Sequence, residues 1–127
     1  MNIKLMHPLR WPDGLPKKPI KKRASYASLP ISKNFKRIRK IVVEMDLQYV
    51  RIYSNLKINA DGEVLGRSGS SDPGVAMYFT IKGEPYVLAS DQFRTVRDNL
   101  HAIARALEGY RLIYLTKTKA QKIELHA

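Results

Sequence analysis

The longest regular pattern of apolar and polar positions runs from Asp72 to Leu107. Val75, Met77, Phe79 and Ile81 alternate with Ala76, Tyr78 and Thr80, the period of a half-buried strand. Lys82-Gly83-Glu84-Pro85 predicts a turn, with Gly83 free to take positive φ and Pro85 opening a return strand over Tyr86–Ala89. Ser90 or Asp91 then offers a side-chain oxygen to cap a helix. Phe93, Val96, Leu100, Ile103 and Leu107 follow at spacings of three and four, one apolar stripe along that helix. Gly109 stands where a left-handed cap would end it.

Upstream, Phe35, Ile38, Val42 and Met45, supported by Ile41, predict an earlier amphipathic helix from an N-cap at Ser32 to about Asp46. Across Leu47–Leu56 the period switches to two: Val50, Ile52 and Ser54 take one face, Tyr49, Arg51 and Tyr53 the other. Lys57–Gly74 predicts a long polar loop, and Met1–Leu29, with Pro8, Pro12, Pro16 and Pro19, an irregular arm. Tyr110–Leu115 either extends the second helix or forms a short edge strand. The predicted order α-β-β-β-α is a single α+β domain at 31–115, a three-stranded antiparallel sheet packed by two helices. A basic arm (1–30) precedes it and a polar tail (116–127) follows.

Composition changes this picture in one respect. Apolar residues make up 44% of the 127, enough for one core. No cysteine occurs, so disulfides and thiolate metal sites are excluded. No apolar run approaches the ~20 residues that span a bilayer, and no secretory-type segment opens the chain, so no membrane partner and a cytoplasmic location are expected. The charge, however, is lopsided. Residues 1–40 carry twelve Lys or Arg against Asp13 alone, net +11, while residues 41–127 carry eleven basic and ten acidic residues, net +1. A nearly neutral body with a cationic front end suits a polyanion, because phosphate neutralisation supplies affinity without sequence information.

The candidate phosphate contacts are Lys17, Lys18, Lys21, Lys22 and Arg23 in the arm and Lys33, Lys36, Arg37 and Lys40 on the first helix. Cations in the first turns oppose the helix dipole, at a few tenths of a kcal/mol each. Local stability therefore does not explain them, although a solvated polar face does. Tyr49 and Tyr53 are candidates for stacking on bases, or for packing beneath a neighbouring element. Trp11, the only tryptophan, either pins the arm to the core or stacks on a base or partner.

Other chemistry is thin. The α-β-β-β-α order fits a double-stranded-RNA-binding domain, but where that design opens its second helix with lysines, this chain has Asp91-Gln92-Phe93-Arg94, leaving only Arg94 and Arg97. It also fits the core of restriction-type nucleases, in which a Pro-Asp and a Glu-x-Lys hold Mg²⁺. Asp72 and Asp91 are the metal-ligand candidates under that interpretation. Yet Ala89-Ser90-Asp91-Gln92 lacks the lysine, Asp91 is explained as a helix cap and Asp72 as the start of an Asp-Pro-Gly turn. His7, His101 and His126 lie far apart, and His101 falls off the apolar stripe, which predicts a surface histidine. Gly66-Arg67-Ser68-Gly69 lacks the Lys-Ser/Thr of a phosphate-binding loop. No cofactor is expected.

Several stretches resemble a known segment. Asp72-Pro73-Gly74-Val75-Ala76 with Tyr78-Phe79-Thr80, then Gly83, Tyr86-Val87-Leu88-Ala89, Asp91, and Val96 with Asp98-Asn99-Leu100 and Ala102-Ile103 are similar to the segment upstream of the J domain in bacterial and phage DnaJ-like proteins. Trp11-Pro12-Asp13-Gly14-Leu15-Pro16 before a basic run, and Ser54-Asn55-Leu56 before an Asp-Gly turn, fit the same pattern, so the likeness covers roughly residues 11–110. It implies a phage or mobile-element origin and a bacterial host. It does not imply co-chaperone activity: no His-Pro-Asp occurs, His7-Pro8 being followed by Leu9.

The expected function is thus a non-catalytic nucleic-acid-binding accessory protein. The alternative is an adaptor docking a host or phage protein, with a metal-dependent nuclease third. Deleting residues 1–24 is expected to separate the first two, abolishing nucleic-acid binding while sparing capture of a protein partner.

Overall fold

The structure is a computed structural model, and it describes residues 3–18, 30–56 and 72–119. Its elements follow in the order β1 (Ile3–Met6), α1 (Ile31–Glu44), β2 (Gln48–Ser54), β3 (Val75–Ile81), β4 (Glu84–Ser90) and α2 (Val96–Thr116). The α+β class agrees with the periodicity, but the sheet has four strands in the order β1-β2-β3-β4, not three. The additional strand comes from the arm. Ile3–Met6 pairs parallel with β2, Ile3 opposite Val50 and Leu5 opposite Ile52, and α1 supplies the crossover that parallel pairing requires. Four residues are too short a run to announce a strand by alternation. Ile3 and Leu5 lean on the core, while Lys4 is exposed.

β2, β3 and β4 form the predicted antiparallel meander. The β3–β4 turn is two residues, Lys82 (φ 49°) and Gly83 (φ 82°), both in the left-handed region that matches the twist of a tight hairpin. Pro85 sits opposite Thr80 on the edge strand β4, where a missing N–H is tolerated.

One core holds the layers together. Val50, Ile52, Val75, Met77 and Phe79 point from the sheet into Phe35, Ile38, Val42, Leu100, Ile103 and Leu107, all buried and in one cluster. The helix ends depart from prediction. Ser32 does not cap α1; Pro30 precedes the first turn, and its carbonyl accepts from Lys33 and Asn34 N–H (3.1 and 3.2 Å). At the other end Leu47 N–H donates to Val42 O (3.0 Å) and Asp46 N–H to Val43 O (3.2 Å), a Schellman closure with Asp46 at φ 52°.

Neither Ser90 nor Asp91 caps α2, because both side chains are engaged elsewhere. Ser90 Oγ donates to Asn99 Oδ1 (2.9 Å), and Asp91 accepts the Lys18 N–H. The cap is Thr95, whose Oγ1 accepts the Asp98 N–H (3.0 Å), so Phe93 precedes the helix rather than opening its stripe. Nor does Gly109 end it: α2 runs on through Tyr110–Leu115 and stops at Lys117 (φ 54°). Nothing lies within 4 Å of a Cβ placed on Gly109. Gly109→Ala is therefore expected to stabilise the fold by about 0.5–1 kcal/mol, seen as a higher urea midpoint at unchanged slope.

The arm is not free up to residue 18. Leu9 N–H donates to Asn55 Oδ1 (2.8 Å), and Tyr78 Oη donates to Arg10 O (2.8 Å). A Cβ on Gly74 would approach Leu9 Cδ2 to 3.2 Å and Trp11 Cζ3 to 3.6 Å, so glycine there lets the arm lie on the strand. Trp11 is half-buried, its Nε1 donating to Leu15 O (2.9 Å).

Candidate nucleic-acid interface

At 100° per residue, Lys33, Lys36, Arg37 and Lys40 fall within one arc of α1, opposite the stripe of Phe35, Ile38 and Val42. The row is about 10 Å long, from seven steps of ~1.5 Å. The first turn of α1 contains no acid. Lys33, Lys36 and Lys40 are exposed and form no ion pair with a carboxylate among the described residues. Arg37 differs, being half-buried and paired with Glu108 of α2, while Glu44 at the end of α1 pairs with Arg111. These two bridges align the helices and leave the three lysines to solvent.

The arm's described cations lie elsewhere. Lys17 pairs with Asp72, and its ammonium sits 5.6 Å from the Trp11 ring centroid. Lys18 donates through Nζ to Gln92 Oε1 (3.3 Å) and through its backbone N–H to Asp91. They clamp the arm to the sheet, so their first use is structural. Lys21, Lys22 and Arg23 lie outside the described residues, as do residues 57–71 of the predicted Lys57–Gly74 loop and the tail beyond residue 119.

The two acids proposed as metal ligands are committed to such contacts. Asp72 Oδ1 accepts the Gly74 N–H (2.9 Å) while Oδ2 faces Lys17; Asp91 Oδ1 accepts from Gln92 Nε2 (3.1 Å). Among the described residues no three His, Cys, Asp or Glu side chains gather around one point. The Asx-turn predicted at Asp72 is present; the helix cap predicted at Asp91 is not.

The two tyrosines part company. Tyr53 is half-buried against Tyr78, ring centroids 5.4 Å apart at 82°. The Tyr78 hydroxyl has its pKa raised, chiefly by burial, with Arg10 opposing. Tyr49 stands clear at 74% exposure.

Two polar positions lay beyond sequence reasoning. His101, expected at the surface, is 6% exposed between the helices, and its Nδ1 donates to Oδ1 of the buried Asn34 (3.1 Å). Its only signal was a second polar residue facing it from 67 positions away, which spacing within one helix does not reveal. Burial lowers the His101 pKa first, then the Arg37 and Arg105 charges, against Glu108 and Asp98. A lowered folded-state pKa means that the unfolded chain takes up the proton first as pH falls. Stability is then full above about pH 6.5, the unfolded value, and declines below it until the folded pKa is reached. Urea unfolding between pH 7.5 and 5 is expected to show this loss, and His101→Gln to flatten it.

The chain matches no protein-family model, and no curated protein shows significant similarity to it.

Proposed function

We propose that this chain is a non-catalytic nucleic-acid-binding accessory protein whose α1 row rests on the phosphate backbone. The observation that carries the proposal is the row itself: Lys33, Lys36 and Lys40 on one exposed stripe, forming no ion pair with a carboxylate among the described residues, with Lys33 in the first turn opposed to the helix dipole. Charges of one sign kept together and left open raise the local concentration of polyanions and steer them in. Lys17 and Lys18 hold the arm in place, and the following cations Lys21, Lys22 and Arg23 extend the basic sequence outside the described residues. The likeness of residues 11–110 to the segment upstream of the J domain adds a phage or mobile-element origin to this proposal and no activity. The test is a titration of labelled duplex and single-stranded oligonucleotides at low salt. A complex that dissociates as salt rises supports the proposal; no complex with any nucleic acid overturns it.

A protein adaptor is the second candidate, favoured by one specific feature. Leu112, Ile113, Tyr114 and Leu115 are all exposed on the last turns of α2, more apolar surface in succession than a solvated helix end needs. Deletion of residues 1–24 no longer separates the two candidates, since it removes β1 and the clamp as well as the charge. Leu112→Ser with Leu115→Ser does: nucleic-acid binding is expected to be unchanged if the α1 row is the interface. Among the described residues no helix is long and apolar enough to cross a membrane.

A further inference from the structure

The corner where α1 hands over to β2 contains a cleft of about 590 Å³, within the size range of small-molecule and cofactor sites. Lys4, Arg51 and Tyr49 line it together with Val43 and Asp46. Three features stand out there. Tyr49 has φ 53°, a left-handed conformation that a bulky aromatic residue rarely adopts and that costs free energy. It does so in a β-bulge, since the β2–β3 register passes from Gln48 opposite Thr80 to Arg51 opposite Tyr78. Bulges re-aim side chains, and this one leaves Tyr49 74% exposed instead of packed. Finally, Lys4 and Arg51 are direct register partners on adjacent strands whose backbones lie about 5 Å apart, two like-charged residues on one face, an arrangement that weakens a sheet. No carboxylate among the described residues pairs with either. Asp46 is the one acid lining the cleft, and its Oδ1 accepts from Gln48 Nε2 (2.7 Å).

We propose that this cleft binds an unpaired nucleotide of a single-stranded nucleic acid, its base stacked on Tyr49 and its phosphates held by Lys4 and Arg51. An aromatic platform beside unneutralised cations is the combination that single strands use, because every base has a π-face and every linkage a charge. A duplex offers no free base face. An acidic peptide satisfies the cations but leaves the solvent-facing ring without a purpose. The inference rests on the nucleic-acid proposal above and deepens it, assigning the single strand as the preferred ligand. The row on α1 supplies phosphate contacts common to all nucleic acids, and the cleft supplies the preference.

The experiment compares a labelled oligothymidine, an abasic strand of the same length and a duplex, by fluorescence anisotropy at one fixed salt concentration. The wild-type chain is expected to bind oligothymidine tightest. Tyr49→Gly is expected to weaken that binding by about 5- to 150-fold, the range of one base–aromatic stack, and to leave duplex and abasic binding unchanged. Tyr49→Phe keeps the ring and is expected to bind as wild type. Because glycine relieves the positive φ and the tyrosine buries little, Tyr49→Gly is expected to melt no lower than wild type, which excludes unfolding as the cause. Lys4→Ala with Arg51→Gln is expected to weaken both single strands. Equal binding of oligothymidine and abasic strand, or an unchanged Tyr49→Gly, overturns the inference while salt-sensitive binding leaves the nucleic-acid proposal standing. Competition by an acidic peptide that Tyr49→Gly does not alter also overturns it. Failure to bind any of the three ligands at low salt overturns both.

Discussion

Asn99→Leu is expected to destabilise the fold by about 3 kcal/mol or more, the largest loss from any single polar substitution. Asn99 is fully buried, and its amide is used on every side. Oδ1 accepts from Ser90 Oγ (2.9 Å) and from Phe93 N–H (3.1 Å), while Nδ2 donates to Pro73 O (2.8 Å) and Phe93 O (3.0 Å). One side chain thereby joins the start of β3, the end of β4, the connecting turn and α2. Leucine has a similar volume, so the cavity term is small, but it strands several buried donors and acceptors at once. Each stranded group costs about 1–3 kcal/mol, and these groups cannot all turn to water. Urea unfolding gives the measurement: a lowered midpoint at unchanged slope is expected. A change below 1 kcal/mol would mean that the network is dispensable.

The second large effect is on binding. Replacing Lys33, Lys36 and Lys40 together by alanine is expected to lower the slope of log affinity against log salt by about 2.7 on duplex DNA, or about 2.1 on a single strand, from roughly 0.9 or 0.7 per phosphate neutralised. At the same time stability is expected to hold or rise slightly, because alanine is the better helix former and Lys33, in the first turn, opposes the dipole. Loss of binding with retained stability is the mark of side chains kept for a ligand. Anisotropy titrations at several salt concentrations and a urea curve on the same variant provide both readouts. Unchanged affinity would assign the row to solubility alone.

How much of this was legible in the sequence depends on where the determining contact lies. The hairpin was legible because alternation and the Lys82-Gly83 turn are local signals, and Lys82 and Gly83 do take the two left-handed conformations such a turn needs. The apolar stripes of both helices were legible for the same reason. Their ends were not: Ser90 and Asp91 are good capping residues by type, but long-range partners, Asn99 and Lys18, occupy them first. β1 was missed because its four residues become a strand only by pairing with β2, some 47 positions later. The burial of His101 against Asn34 is likewise a tertiary fact without a local signature.

The candidate site divides along the same line. The lysine row of α1 follows from helical spacing alone and appears where that spacing puts it. Treating arm and helix as one cationic surface went further than local charge allows, since Lys17 has Asp72 as its counter-ion and Arg37 has Glu108. Neither acid is near its partner in sequence. Tyr49 and Tyr53 looked equivalent by alternation, and the bulge that separates them shows only in the register. Lys4 and Arg51 become neighbours only once β1 is in place.

The central claim is that the exposed lysines of α1 neutralise nucleic-acid phosphates, and the salt dependence of wild-type binding tests it most directly. Anisotropy of a labelled oligonucleotide, measured from about 50 to 200 mM salt, is expected to give a straight, steep fall of log affinity against log salt, with a slope of about −2 or steeper for three contacts. A flat line over that range, or no binding at the low-salt end, would contradict it.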